Sequence, residues 1–212
     1  MATAPRPPTR RLSRLALTAL CAVAAGCGGE DGPSDAEQIS TAVKRVMESE
    51  RVADQCEAGV SKRFVREIYE TPARCRRAAA PQPGDPPPDS AAIAATRIDG
   101  ERATTAVTLT SVKGSRAMGR VALVREGDAW KVDRLGIDFL RAVFKTLPTE
   151  ADTAEERRVL RCVADATPGL ADADVRRIGN LIVGRRLTEE ALPDAVRSCI
   201  RGGAPPAQEI TA

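Results

Sequence analysis

An antiparallel hairpin is predicted by Val121-Ala122-Leu123-Val124-Arg125-Glu126-Gly127-Asp128-Ala129-Trp130-Lys131-Val132-Asp133. Val121 and Leu123 share one face of the first strand, because successive side chains of a strand point to opposite faces. Trp130 and Val132 share one face of the second strand in the same way. A Gly/Asp turn such as Gly127-Asp128 favours antiparallel pairing. The stretch therefore predicts the last hairpin of an antiparallel sheet.

The residues before this hairpin continue the same two-residue alternation between turns. The predicted strands are Ala92–Ile98, Arg102–Val112, Arg116–Arg125 and Ala129–Leu135. The turns between them are Asp99-Gly100, Lys113-Gly114 and Gly127-Asp128. Short turns between successive strands predict an antiparallel meander.

Helical patterns come before the sheet. Ser34-Asp35-Ala36-Glu37 has the form of a capping box, which places a helix start at this point. An apolar stripe at helical spacing follows, made of Ala36, Ile39, Val43, Val46 and Met47. Short helices are predicted from about Arg51 to Ala80, with starts at Ser61 and at Thr71-Pro72, and the Pro-rich loop Pro81–Pro88 ends them. Helices followed by a meander predict an α+β fold, with the N-terminal helices packed on one side of a curved antiparallel sheet.

A further helical region is predicted after Leu147-Pro148, over residues 149–202. Thr153-Ala154-Glu155-Glu156 has the capping-box form and opens a helix that carries Val159, Cys162 and Val163 on one side. A second helix starts at about Asp172, and the last starts near Pro193 and aligns Val196, Cys199 and Ile200. Residues 203–212 are predicted to be a disordered tail.

The order of these elements, with Arg97-Ile98-Asp99-Gly100-Glu101-Arg102-Ala103 and the 121–133 hairpin, resembles the cone-shaped nuclear transport factor two-like superfamily. The resemblance covers roughly Ser34–Leu140, and residues 34–148 are assigned to this α+β domain. It implies a cone-like sheet that encloses a pocket. The superfamily includes isomerases and dehydratases as well as non-enzymatic binding modules, so the fold alone does not choose a function.

The first 26 residues have the three parts of a secretory signal: a basic stretch, a short apolar run from Leu15 to Ala25, and small residues at the end. The apolar run is too short for a membrane-spanning helix, which needs about 20 residues. Val23-Ala24-Ala25-Gly26-Cys27 resembles the lipobox of bacterial lipoproteins, although Ala24 stands where that family usually has Leu or Val. The resemblance implies cleavage before Cys27, lipid on Cys27 as the membrane anchor, and a location on the outer face of the cell membrane. Residues 27–33 have the composition of a flexible linker.

Charge and composition exclude several classes of function. Removing residues 1–26 takes away four of the 32 basic residues and none of the 29 acidic ones, which leaves a net charge of −1. A nucleic-acid partner is not expected, because such proteins keep a basic excess in their folded part. The chain has no histidine, which excludes Ser-His-Asp and Cys-His catalysis and histidine-based zinc sites. No metal, cofactor or catalytic residue is assigned.

Four cysteines remain after Cys21 leaves with the signal and Cys27 takes lipid: Cys56, Cys75, Cys162 and Cys199. An even number in an oxidising compartment favours disulfides over free thiols or metal ligands. Three pairings are possible, and the separation into two predicted units favours Cys56 with Cys75 and Cys162 with Cys199.

Two functions of different classes are compatible with these patterns. The first is a non-catalytic envelope lipoprotein whose cone-like domain binds a small apolar ligand or a partner protein. The second is an isomerase- or dehydratase-like enzyme that uses a carboxylate in the cone pocket as general base. A third, purely structural interpretation treats the domain as a spacer. An open cone would favour a binding module, and a cone filled by its own side chains would favour the spacer.

Overall fold

The computed structural model describes residues 32–81 and 89–202. The predicted signal, Cys27, most of the 27–33 linker, most of the Pro-rich loop and the 203–212 tail lie outside the described residues. The described residues from Pro33 onward form one compact unit. This unit is an α+β structure, as predicted, with helices both before and after a four-stranded antiparallel sheet.

Helix α1 spans Asp35–Met47 and begins at the predicted capping box. The Ser34 hydroxyl accepts a hydrogen bond from the Glu37 N–H, and the Glu37 carboxylate accepts one from the Ser34 N–H at 2.7 Å. Both bonds satisfy donors that a helix start leaves without an intrahelical partner. Of the predicted apolar stripe, Ile39 and Val43 are buried against the sheet, and Ala42 is buried beside them. Ala36 is exposed, because it lies in the first turn of the helix.

Short helical segments follow, as predicted. They are a π-helical turn at Asp54–Ala58, α2 at Lys62–Phe64, a second π-helical turn at Val65–Tyr69 and α3 at Pro72–Ala79. The Ser61 hydroxyl caps α2 at the Phe64 N–H, and the Thr71 hydroxyl caps α3 at the Arg74 N–H. A disulfide between Cys56 and Cys75 joins the first turn to α3, which confirms that pairing.

The sheet has the strand order β1-β2-β3-β4 and every pair is antiparallel. The strands span Ser90–Asp99 (β1), Arg102–Thr110 (β2), Arg116–Glu126 (β3) and Ala129–Leu135 (β4). The meander prediction is confirmed, except that β2 ends two residues before Val112. It ends there because the Ser111 carbonyl accepts the Gly114 N–H at 2.9 Å and closes the turn.

One face of the sheet is buried under the helices. Alternate residues of each strand lie on it, as the predicted faces require: Ala91, Ala103, Thr105, Val107, Ala117, Val121, Leu123, Trp130 and Val132. Helices α1, α2 and α4 pack against these strands. Trp130 also donates its indole N–H to the Asp35 carboxylate at 2.9 Å, which fixes the first turn of α1 over β4.

Helix α4, Ile137–Glu150, is an element that the sequence reasoning did not assign. Leu147-Pro148 was interpreted as a boundary between regions, but Pro148 lies inside the last turn of this helix. Pro148 has no N–H, so the last turn of α4 lacks the hydrogen bond that this residue would otherwise make. Gly119 on β3 provides the space for α4, since a Cβ at this position would lie well under 3.0 Å from the backbone of Phe139.

Three more helices complete the unit: α5 at Ala154–Ala166, α6 at Asp172–Val183 and α7 at Asp194–Ile200. The starts predicted at Thr153, Asp172 and Pro193 are confirmed. At Thr153 the reciprocal bond differs from a capping box, because the Glu156 carboxylate accepts the N–H of Asp152 at 3.0 Å. A disulfide joins Cys162 on α5 to Cys199 on α7, which confirms the second pairing.

Helix α4 connects two clusters of buried residues. Phe139 belongs to the cluster under the sheet, and Leu140 and Phe144 belong to a cluster formed with α5, α6 and α7. Arg141 strengthens this connection by donating to the Leu170 carbonyl at 2.7 Å and to the Asp172 carboxylate at 3.0 Å. The C-terminal helices therefore pack on the rest of the unit through α4.

Candidate ligand cavity

A cavity of about 650 Å³ lies between the helices and the buried face of the sheet. Its walls come from α1, the turns that follow α1, the end of α3, β2, α4 and α6. Ligand sites in proteins typically have volumes of roughly 300–1,000 Å³. The helices and the sheet therefore leave a space of ligand size that their own side chains do not fill.

The floor of the cavity is apolar. Val60, Phe64, Phe139, Leu140 and Phe144 are buried residues of the two clusters whose surfaces face it. Apolar side chains that remain half-buried form much of the wall: Val46, Met47, Leu109, Leu135, Val143, Ile182 and Val183. An apolar molecule that entered would remove this surface from water, which is favourable by about 25 cal/mol per Å².

The backbone of α6 also borders the cavity. Gly179 is buried at the point where α6 meets Leu140 of α4, and a Cβ there would press on the Leu140 side chain. Beyond α6, Arg186 donates to the Ile68 carbonyl at 2.6 Å and so connects the end of this helix to the second π-helical turn. The C-terminal helices thus form part of the cavity wall and are held to the N-terminal segments beside it.

Several polar groups line the rim, and most have partners. The Ser49 hydroxyl donates to the Asp54 carboxylate at 2.9 Å, and the Gln55 side chain donates to the Ser49 carbonyl. Glu50, Pro81 and Arg185 line the cavity and are exposed, which places its opening on their side. Polar groups at the rim and apolar walls inside suit a molecule that is mainly apolar.

Two titratable side chains extend onto the wall. Burial raises the pKa of the Tyr69 hydroxyl, although the positive charge of Arg185 acts in the opposite direction. Burial also raises the pKa of the Asp89 carboxyl, and the negative charge of Glu150 adds to this effect. Both groups are therefore held towards their neutral forms by the apolar surroundings.

Charged side chains of the strands lie away from the cavity. Asp133 is at a β-bulge of β4, where it accepts the Ser61 hydroxyl at 2.7 Å and pairs with Arg63 at 3.3 Å. Arg120 pairs with Asp138, and Arg125 lies over the Trp130 ring and pairs with Asp35. None of these side chains lines the cavity. Their ion pairs and hydrogen bonds join strands to helices instead.

Sequence reasoning did not identify Tyr69 and Asp89 as wall residues. Tyr69 ends a short helical turn and Asp89 precedes β1, and neither belongs to a motif. The available signal was only that Tyr69 is the one tyrosine of the chain. Within residues 32–81 and 89–202, no group of three or more His, Cys, Asp or Glu side chains is placed to hold a metal ion.

The chain matches no protein-family model, no curated protein and no solved structure. No described helix is both long enough and apolar enough to cross a membrane.

Proposed function

We propose that this protein is an exported lipoprotein, held by lipid on Cys27 at the outer face of the cell membrane, that binds a small and largely apolar ligand in the cavity. The proposal includes membership of the cone-shaped nuclear transport factor two-like superfamily for the sheet and the helices before it. The observation that carries the ligand is the unfilled space of about 650 Å³ with an apolar floor. The anchor is supported by the lipobox-like Val23-Ala24-Ala25-Gly26-Cys27.

The ligand is tested by filling the cavity. Val143 lies half-buried on its α4 wall, and a Val143→Trp side chain would occupy part of the volume. We expect the fluorescent apolar probe N-phenyl-1-naphthylamine to bind the wild type and to bind this variant about tenfold more weakly, a loss of about 1.4 kcal/mol. Fluorescence titration measures both affinities.

Val112→Trp is the matched control, because Val112 is 50% exposed in the β2–β3 turn, away from the cavity. This variant should bind the probe as the wild type does, and both variants should melt cooperatively. Equal probe affinity in Val143→Trp and the wild type would show that the probe binds outside the cavity and would remove the support for the ligand.

The anchor is tested by Cys27→Ala, which removes the atom that would carry lipid. We expect the protein to move from the membrane pellet to the supernatant, because each buried CH₂ of a lipid chain contributes about 0.8 kcal/mol to membrane binding. Cys21→Ala is the control, since Cys21 lies in the predicted signal and its loss should leave the protein in the pellet. A Cys27→Ala protein that still sediments with membranes would overturn the anchor.

A second candidate is the isomerase- or dehydratase-like enzyme. One observation favours it: Asp89 is a half-buried carboxyl group on the wall, and burial raises its pKa, as is common for general bases. The two functions differ in the fate of the ligand. A ligand extracted from the purified protein and added back should be recovered unchanged if the protein only binds it. An enzyme would convert the ligand into a product, and the Asp89→Asn variant would not.

A further inference from the structure

Among the described residues at this end of the sheet, Asp89 differs from the neighbouring carboxylates Glu48 and Glu150 because its carboxylate has no hydrogen-bond or ion-pair partner. The Glu48 carboxylate accepts the Ala91 N–H at 2.7 Å, and the Glu150 carboxylate accepts the Ser111 hydroxyl at 2.8 Å. Within residues 32–81 and 89–202, no hydrogen bond or ion pair involves the Asp89 carboxylate. It therefore contributes an unpaired acceptor to the cavity wall.

The basic groups nearby are already engaged. Lys113 donates its ammonium group to the Asp152 carboxylate at 2.8 Å and to the Glu150 carbonyl at 2.6 Å. Arg185, the basic residue of the cavity wall, also has a partner. Glu50 also lines the cavity without an ion pair, but it is exposed at the opening, so among the described residues Asp89 is the half-buried wall charge that has no counter-charge.

Two effects make a negative charge unfavourable at this position. Burial among apolar side chains raises the pKa of Asp89, and the charge of Glu150 raises it further. A positive group beside Asp89 would relieve both, because opposite charges attract more strongly where water is partly excluded. An anionic group beside Asp89 would instead add to the repulsion that Glu150 already exerts.

We propose that the ligand is a small amphipathic cation, whose apolar body fills the cavity and whose ammonium-type group lies against Asp89. The inference rests on the proposed ligand function and names the chemical class of that ligand. The size of the cavity, its apolar floor and the unpaired carboxylate on its wall carry it together.

Three probes with the same octyl chain separate the effect of charge from the effect of apolar volume: octyltrimethylammonium, 1-octanol and octyl sulfate, each kept below the concentration at which it forms micelles. By calorimetric titration we expect the cation to bind the wild type about tenfold more tightly than the alcohol, and the sulfate to bind most weakly. Asp89→Asn should lower the affinity for the cation to that for the alcohol and leave the alcohol unchanged.

Asp99→Asn is the matched control, because it removes the same charge at the exposed far end of β1. This variant should keep the preference for the cation. The cationic ligand would be overturned if Asp89→Asn kept the preference for the cation over the alcohol. It would also be overturned if the wild type bound 1-octanol but showed no such preference. Either result would leave the proposed cavity function in place. Failure of 1-octanol to bind would overturn both.

Discussion

Gly119→Ala is expected to lower the free energy of unfolding by about 3 kcal/mol, which lies at the upper end for adding one methyl group to a packed interior. The added Cβ would lie well under 3.0 Å from the backbone N and Cα of Phe139. A flexible side chain could move aside, but the backbone of α4 can yield only if the whole helix shifts. Urea unfolding followed by circular dichroism measures the difference.

Gly32→Ala provides the matched control, because a Cβ at Gly32 would meet no atom within 4 Å. This variant should unfold with the stability of the wild type, within about 0.5 kcal/mol. If Gly119→Ala were equally stable, the close packing of α4 on β3 would be wrong, and with it the position of the α4 wall of the cavity.

The sheet could be predicted because its signals are local. Alternating apolar residues and Gly turns specify each strand and its neighbour without reference to the rest of the chain. Gly100 and Gly127 have positive φ values of 56° and 63° in the turns where glycine was expected. The strand faces followed for the same reason, since Val121, Leu123 and Trp130 are buried as their spacing required.

Helix α4 was missed because two local signals conflict there. Leu140, Phe144 and Leu147 follow helical spacing, but Pro148 indicates the end of a region. In the structure the helix continues to Glu150, and Thr146 and Thr149 donate their hydroxyls to the Val143 and Thr146 carbonyls near the proline. Packing of α4 against β3 and α5 stabilises this helix although it contains a proline near its C-terminal end.

The cavity could not be predicted from periodicity, because its wall is assembled from distant segments. Met47, Tyr69, Leu109 and Ile182 line the same cavity although they lie far apart in the sequence. An apolar stripe indicates which side of a helix faces the interior, but it does not indicate whether the interior is filled. The site therefore depends on the volume that the packed elements leave between them, which has no local signature.

Removing the Cys162–Cys199 disulfide with Cys162→Ala/Cys199→Ala is expected to lower the free energy of unfolding by about 4 kcal/mol, from the chain entropy that the cross-link removes. The bridge spans a sequence separation of 37 residues, whereas Cys56 and Cys75 are 19 apart, so removing the shorter loop should cost about 3 kcal/mol. Urea unfolding of the two double variants measures both values. Reduction of the wild type breaks both disulfides, so we expect it to lower the free energy of unfolding by about the sum of the two losses.

The Cys162–Cys199 disulfide should also affect the cavity. Cys162–Cys199 joins α5 to α7, and these helices share a buried cluster with α6, whose Ile182 lines the cavity. We therefore expect Cys162→Ala/Cys199→Ala to weaken probe binding at urea concentrations that leave the sheet folded. Probe binding and sheet unfolding that coincide in this variant would contradict a separate role for the C-terminal bridge. A bridge that holds a cavity wall would make ligand binding depend on an oxidising compartment, which is consistent with the proposed export.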